Sequence, residues 1–95
     1  MDRKEALEEA EKIVCDGREE DYGGPEQSFQ RIADYWSTYL EIEIKPYQVA
    51  AMMAMLKLAR LQTNPKHKDS LIDAIGYFAC YADCLEKEPV EMDCE

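Results

Sequence analysis

Two cations lie three residues apart inside the most apolar helical stretch of the chain. Lys57 and Arg60 interrupt the run MMAMLKLARLQ, and residues at this spacing share one face of an α-helix. A buried cation must be paired, and phosphate is a partner that Arg binds through two hydrogen bonds and Lys meets as a point charge. Lys57 and Arg60 are therefore a candidate anion clamp. Two structural explanations stay open: long stems that cover apolar surface, and ion pairs with acids of a neighbouring helix.

Carboxylates repeat at helical spacing in the segment that follows. Asp69 and Asp73 are one turn apart in HKDSLIDAIGYFACYADC, and Tyr77 lies one turn further on. Two carboxylates on one face can share Mg²⁺ through oxygen ligands. Alternatively, Asp69 complements the dipole of the first turn, and Asp73 pairs with Lys57 or Arg60 across the bundle. Both explanations place this helix beside the helix that carries the cations.

Further positions are candidates for framing a ligand. His67, the single histidine, lies near the start of the last helix, where it could donate to an anion or cap the turn. The EEDYGGP loop offers a carboxylate at Asp21 and a ring and hydroxyl at Tyr22, although a tight surface turn explains these residues equally well. Gly76 is unfavourable in a helix interior, so the sequence predicts a close approach there by another helix or by a ligand.

Composition and charge narrow the class of protein. The chain has 95 residues, and 21 acidic against 11 basic residues give a net charge of -10. This balance argues against general binding to DNA or RNA backbones or to anionic membranes, but not against one small basic pocket. The apolar run at 49–56 is too short to span a bilayer, and no secretory pattern opens the chain. We expect a cytosolic protein with reduced cysteines, two of which fill the core.

Hydrophobic spacing and terminus signals predict four helices. Their expected bounds are about Asp2–Asp16, Pro25–Leu40, Pro46–Leu61, and from Pro65 or Lys66 to Glu86. Asp2 is the expected N-cap of the first helix, Gly17 its stop, and Asn64 a cap before the last helix. The alternating EIEIK segment is short and is interpreted as a connection.

The pattern predicts an all-α fold, an antiparallel four-helix bundle formed by one domain over residues 1–95. Its core covers about residues 2–86, and an acidic tail follows at 87–95. The third helix is apolar on most sides and is expected to be central. The side chains expected to be buried on the other helices are Leu7, Ala10, Ile13, Val14, Phe29, Ile32, Ala33, Trp36, Tyr39, Leu40, Leu71, Ile72, Ile75, Phe78, Ala79, Ala82 and Leu85, with Tyr35 more open. A chain this short buries little surface, so oligomerisation is a natural remedy.

The order of these motifs resembles a family of small uncharacterised phage and prophage proteins. The motifs DYG, W, KxAR and HxDSxxDxxGY occur in that order between about Arg18 and Ala82. More distantly, the arrangement is similar to the MazG-like all-α nucleoside triphosphate pyrophosphohydrolases. Those enzymes are helical bundles, usually dimers or tetramers, in which ExxE on one helix and ExxD on a following helix hold Mg²⁺.

The second resemblance implies a nucleotide or other phosphorylated small molecule as ligand, Mg²⁺ as cofactor, and a homo-oligomer. Asp69 and Asp73, spaced by four rather than three, partly match ExxD and would be the catalytic and metal-binding residues of a hydrolase. Lys57 and Arg60 stand where ExxE is expected, so cations would meet the phosphates directly. The remaining ligand-framing residues would be Asp21, Tyr22, His67 and Tyr77.

Two non-enzymatic functions remain as alternatives. One is a protein that sequesters a nucleotide, as an anti-defence factor in the host cytoplasm if a phage encodes it. The other is a structural or adaptor module whose partner recognises the acidic surface.

Overall fold

Four helices form in the part of the chain that the computed structural model describes, residues 1–15 and 25–88. Their bounds are α1 (Arg3–Cys15), α2 (Pro25–Leu40), α3 (Pro46–Thr63) and α4 (Lys68–Lys87). These ranges contain no strand, and the EIEIK segment is a connection, as predicted. The Gly17 stop, the loop with Asp21 and Tyr22, and the acidic tail beyond residue 88 lie outside the described residues.

Local signals set the starts of α1 and α3. Asp2 Oδ1 accepts the backbone N–H of Glu5 at 2.9 Å, and Glu5 Oε1 accepts the N–H of Asp2 at 3.0 Å. This capping box confirms Asp2 as the N-cap. α3 begins at Pro46. Proline has no backbone N–H, and an N–H at this first position would have no hydrogen-bond partner within the helix. In the same turn, Gln48 Oε1 accepts the backbone N–H of Lys45 at 2.8 Å.

The start of α4 differs from the prediction. α4 begins at Lys68 with His67 as its N-cap, rather than at Pro65 or Lys66 with Asn64 as a cap. Asn64 instead closes α3, and its carbonyl accepts the backbone N–H of His67 at 3.0 Å. The prediction was wrong because residues 64–67 form the turn that reverses the chain, and α4 can begin only after that turn is complete.

α3 and α4 form an antiparallel hairpin, because residue numbers rise along one helix as they fall along the other. The contacts that set its register are Lys45 Nζ to Glu88 Oε1 at 3.1 Å, the edge-on rings of Tyr47 and Tyr81 at 5.5 Å, and Lys57 Nζ to Asp73 Oδ2 at 3.0 Å. The hairpin thus places the cations of α3 beside the carboxylates of α4, as the sequence predicts.

α4 packs against all three of the other described helices, whereas α3 packs mainly against α2 and α4. The end of α1 lies so close to α4 that a Cβ atom at Gly76 would stand 3.0 Å from Val14 Cγ1. The ring of Phe29 on α2 lies 6.2 Å from the ring of Tyr77. The close approach predicted for Gly76 is therefore confirmed, and the approaching element is a helix. The expectation that α3 would be central was wrong, because α4 buries small residues that let several helices come near, namely Ser70, Gly76, Cys80 and Cys84.

The core lies where α2, α3 and α4 meet. Its buried members are Phe29, Ala33, Val49, Ala50, Cys80 and Cys84. Cys80 and Cys84 are buried as thiols, which confirms that two cysteines fill the core. Trp36 packs against this cluster and Tyr35 is exposed, both as predicted. None of the helices within the described ranges has the length and apolarity needed to cross a bilayer.

Several side chains predicted to be buried are exposed. They are Leu7, Tyr39, Leu40, Leu71, Phe78, Ala79 and Ala82. A helix with apolar residues on two sides buries the side that permits the closest packing, and α4 turns Ile72 and its small residues inward and Phe78 outward. On α3, Met55 and Leu58 remain 56% and 53% exposed, so this helix has an uncovered apolar side.

Candidate functional site

The centre of the candidate site is an ion pair between α3 and α4. Lys57 Nζ lies 3.0 Å from Asp73 Oδ2, and the two side chains are only 14% and 30% exposed. Lys57 shares a helix face with the buried residues Ala50 and Ala54, so its stem runs toward α4 and its ammonium group meets the carboxylate. The pairing of Asp73 with a cation of α3, one of the predicted alternatives, is confirmed.

The second cation of the predicted clamp is placed differently. Arg60 lies in the last turn of α3, where a positive charge complements the helix dipole, and its side chain is exposed. Among the described residues, no carboxylate lies within ion-pair distance of Arg60, in contrast to Lys57. Only one half of the clamp is therefore neutralised inside the fold, and the guanidinium group faces solvent.

His67 uses one ring nitrogen to cap α4. Its Nδ1 accepts the backbone N–H of Ser70 at 3.2 Å and lies 2.8 Å from Ser70 Oγ, which is fully buried. This confirms the capping role that the sequence offers as one alternative. In the neutral ring, an acceptor at Nδ1 leaves the proton on Nε2. Nε2 is thus the atom through which His67 can donate to a ligand.

The remaining predicted site residues lie on α4 or outside the described residues. Asp69 is exposed in the first turn of α4, a position that suits a carboxylate beside the helix dipole. Tyr77 is half-buried one turn beyond Asp73 and packs against Phe29. Asp21 and Tyr22 belong to the segment that is not described. The described structure thus brings together Lys57 and Asp73, with Tyr77 on the same side of α4.

A concentration of positive charge at the end of the hairpin escaped the sequence analysis. Residues 44–68 contain no acidic residue, although the chain has 21 of them, and they hold five of its 11 cations. Four residues at the α3–α4 turn are exposed and basic, and we call them the basic turn: Arg60, Lys66, His67 and Lys68. The net charge of the whole chain does not show this feature. A count of acidic residues in successive windows along the sequence would have shown it.

The carboxylates alone form a sparse metal site. Within residues 1–15 and 25–88, no three or more His, Cys, Asp or Glu side chains are grouped so as to hold a metal ion. Asp73 is also engaged by Lys57. Mg²⁺ is commonly held by one or two carboxylates together with phosphate oxygens of a substrate. Asp69 and Asp73 therefore suit an ion that arrives with a phosphorylated ligand, and their metal-binding role stays a prediction.

The helices and the ion pair define an all-helical chain built around an antiparallel hairpin with a basic turn. A family model described as "Domain of unknown function (DUF6378)" matches residues 5–85. The chain belongs to this family. It is 38% identical over 91 residues to the Gene 55 protein of Mycobacterium phage D29, and 39% identical over 88 residues to the Gene 55 protein of Mycobacterium phage L5. The predicted membership of a family of phage proteins is confirmed.

The relatives are longer than this chain. Each alignment covers 92% of the chain, but only 60% of the D29 protein and 54% of the L5 protein. The chain therefore spans less than two thirds of either relative. No solved structure matches the chain.

Proposed function

We propose that this chain binds a nucleotide or another phosphorylated small molecule at the basic turn and the adjoining Lys57–Asp73 pair. The observation that carries the proposal is the separation of charge. A chain with a net charge of -10 gathers the cations Arg60, Lys66 and Lys68, together with His67, on one exposed turn, with no acid between residues 44 and 68. A local positive potential of this kind attracts small anions in spite of the overall charge.

The geometry of the turn suits phosphate oxygens. The planar guanidinium of Arg60 can donate two parallel hydrogen bonds, and Nε2 of His67 adds a donor at the start of α4. Lys57 lies three residues before Arg60 and is held by Asp73, so its charge is positioned before a ligand arrives. Tyr77, with the predicted contributions of Asp21 and Tyr22, would frame the uncharged part of the ligand.

Our choice of a nucleotide as the phosphorylated ligand rests on the resemblance of the motif order to that of MazG-like pyrophosphohydrolases. In a hydrolytic version of the function, Asp69 and Asp73 would hold Mg²⁺ beside the phosphates, and the ion would supply charge stabilisation and an activated water. Asp73 already balances the charge of Lys57 in the fold, so this version requires the carboxylate to serve two cations. We therefore place binding without turnover first, in the host cytoplasm if a phage encodes the chain.

Titration calorimetry with a panel of nucleotides, and with inorganic triphosphate as a probe of the phosphates alone, tests the binding site. We expect Arg60→Gln to weaken binding of a phosphorylated ligand about tenfold, because each charge-assisted hydrogen bond contributes roughly 1.5 kcal/mol or more. Arg31→Gln is the matched control, since Arg31 is an exposed arginine of α2. Equal affinities of the two variants, or no heat with any probe, would remove the site from the basic turn.

Turnover is measured separately from binding. The ligand is incubated with the protein and Mg²⁺, recovered, and analysed by ion-exchange chromatography. Recovery of intact nucleotide after saturable binding supports sequestration. Release of pyrophosphate that Asp73→Asn abolishes and Arg31→Gln preserves would show that the hydrolytic version is the correct one.

A further inference from the structure

One side of α3 carries no charge, although a third of the chain is charged, 34% of its residues. We call this side the outer face of α3, and its members are Gln48, Ala51, Met52, Met55, Leu58, Ala59 and Gln62. Met55 and Leu58 are 56% and 53% exposed. The two charges of the helix lie off this face, and Lys57 is turned toward α4. An uncharged stripe of this length on an exposed helix is typical of a contact surface.

The outer face has the same order of residue types whether it is read from Met55 toward the start of α3 or toward its end. Counted outward from Met55, each side presents a large apolar residue at a distance of three, alanine at four and glutamine at seven. The large residues are Leu58 and Met52, the alanines are Ala59 and Ala51, and the glutamines are Gln62 and Gln48. A sequence that is symmetric about one residue is self-complementary when two copies run antiparallel, as a two-fold interface requires.

We propose that the outer face of α3 binds the same face of a second copy of this chain, in antiparallel orientation, with Met55 on the two-fold axis. In this register Gln48 lies opposite Gln62 of the partner subunit, and Met52 lies opposite the partner's Leu58. The positions also repeat every seven residues, from Gln48 through Met55 to Gln62, which is the spacing of helices that cross at about 20°.

Charge favours a second copy over another class of partner. Two copies with a net charge of -10 each repel, so they associate best through a surface that carries no acid. A basic partner would instead be drawn to the acids elsewhere on the chain, and the outer face offers it none. A contact with an unrelated protein would not require this symmetric order of residues. In a two-fold dimer, by contrast, each residue of the outer face makes the same contact in both copies.

The proposal also accounts for the error in the sequence analysis. α3 is apolar on most of its sides, a pattern typical of a central helix, yet within residues 1–15 and 25–88 Met55 and Leu58 on its outer face stay exposed. In the dimer, α4 covers the inner side and the partner subunit covers the outer face. The proposal does not depend on ligand binding at the basic turn, because the outer face contains none of its residues.

Sedimentation of the 95-residue chain over a range of concentrations tests the association. We expect a dimer of twice the 11.0 kDa monomer mass. Because one helix pair forms a short contact, we expect a dissociation constant of about 1–10 µM. Met55→Lys places two like charges on the axis and should leave monomers at concentrations at least 30-fold higher. Leu7→Lys is the matched control, since Leu7 is a leucine of α1 that is 61% exposed, and it should leave the dimer intact.

A pair of double variants tests the register. Gln48→Glu preserves the side-chain oxygen that accepts the Lys45 N–H, so the start of α3 keeps its cap. Combined with Gln62→Lys, it brings opposite charges together across the antiparallel interface and should tighten the dimer. Combined with Gln62→Glu, it brings like charges together and should weaken the dimer about tenfold or more. Circular dichroism verifies that both variants keep the helical content and cooperative melting of the wild type.

Dissociation by Met55→Lys, with opposite effects of the two double variants, supports the antiparallel dimer. A wild-type chain that stays monomeric at about 200 µM, well above the expected constant, overturns it. A dimer that resists Met55→Lys shows that another surface is used and also overturns it. Equal weakening by both double variants excludes the antiparallel register, because a parallel pair would place like charges together in each case.

Discussion

Lys57 and Asp73 join the middle of α3 to α4 through a contact of 3.0 Å between Nζ and Oδ2. Both side chains are partly shielded, with exposed fractions of 14% and 30%. This pair differs from a surface ion pair, because the ammonium group has little water to replace a lost carboxylate. The pair therefore fixes the hairpin as well as positioning a cation near the basic turn.

Replacement of Asp73 should destabilise the fold more than replacement of its neighbour on the same helix. We expect Asp73→Asn to lower the free energy of unfolding by about 1–2 kcal/mol, since it leaves Lys57 half-buried and unpaired. Asp69→Asn is the control, and we expect a change within about 0.5 kcal/mol because Asp69 is exposed. Urea denaturation measures both.

A double-mutant cycle distinguishes the loss of the Lys57–Asp73 ion pair from other effects of replacing Asp73. In a Lys57→Met background, Asp73→Asn should lose most of its effect, with a coupling energy of about 1 kcal/mol in the double-mutant cycle. Equal losses in both backgrounds would mean that Asp73 acts through another contact.

The approach of α1 to α4 makes the effect of a methyl group at Gly76 depend on Val14. Alanine is favoured over glycine in a helix interior by about 1 kcal/mol, but the added Cβ would lie 3.0 Å from Val14 Cγ1. We expect Gly76→Ala to be nearly neutral in the wild type, because the two effects oppose each other. In a Val14→Ala background the contact is absent, and the same substitution should stabilise the fold by about 1 kcal/mol.

Thermal or urea denaturation of the four chains in this cycle measures the difference. If Gly76→Ala stabilised both backgrounds equally, Val14 would not limit the approach of α1. If it destabilised both, a different neighbour of Gly76 would be responsible.

The Lys45–Glu88 ion pair joins the start of α3 to the end of α4. We expect this pair to make the free energy of unfolding decrease at alkaline pH. The side-chain hydrogen bond from Lys45 to Glu88, with a second to Glu43, raises the pKa of the Lys45 ammonium above 10.5. The folded chain then holds this proton more tightly than the unfolded chain does. The contribution is fully present below pH 10.5 and is lost as the pH rises through the folded-state pKa.

Melting temperatures measured on both sides of pH 10.5 test this linkage. Lys45→Met should show a smaller decrease than the wild type as the solution becomes alkaline. Lys12→Met is the control, because Lys12 is 69% exposed and lies 3.9 Å from Glu9, and it should follow the wild type. A Lys45→Met curve parallel to that of the wild type would show that the pair contributes no pH dependence.

Local signals were sufficient to predict most of the helices, whereas packing choices were not. Asp2 and Pro46 act through groups within one turn, so sequence alone indicates where α1 and α3 begin. Which side of α4 is buried depends on other helices. Hydrophobicity favours the side with Leu71 and Phe78, but close packing against Gly76 selects the small residues instead.

Within the candidate site, the sequence was sufficient to predict the Lys57–Asp73 pair but not the exposure of Arg60. Helical spacing placed Lys57 and Asp73 on facing helices, and the structure pairs them. The spacing could not indicate that Arg60 would remain exposed, because that depends on how far α4 extends beside the end of α3. The basic turn is not visible in the net charge of the whole chain, because the acidic residues all lie outside residues 44–68.

The residue that ends α2 offers a test of backbone strain. Glu41 has a φ of 58°, and its N–H donates to the carbonyl of Ser37 at 2.8 Å, so it terminates the helix in the left-handed region that favours glycine. This conformation disfavours a residue with a Cβ by roughly 1 kcal/mol. We expect Glu41→Gly to raise the free energy of unfolding by about 0.5–1 kcal/mol, although glycine also increases the entropy of the unfolded chain. Glu41→Ala removes the same charge and keeps the Cβ, so it should give no such gain. Urea denaturation distinguishes the two, and an equal gain from alanine would attribute the effect to lost charge repulsion rather than to the backbone.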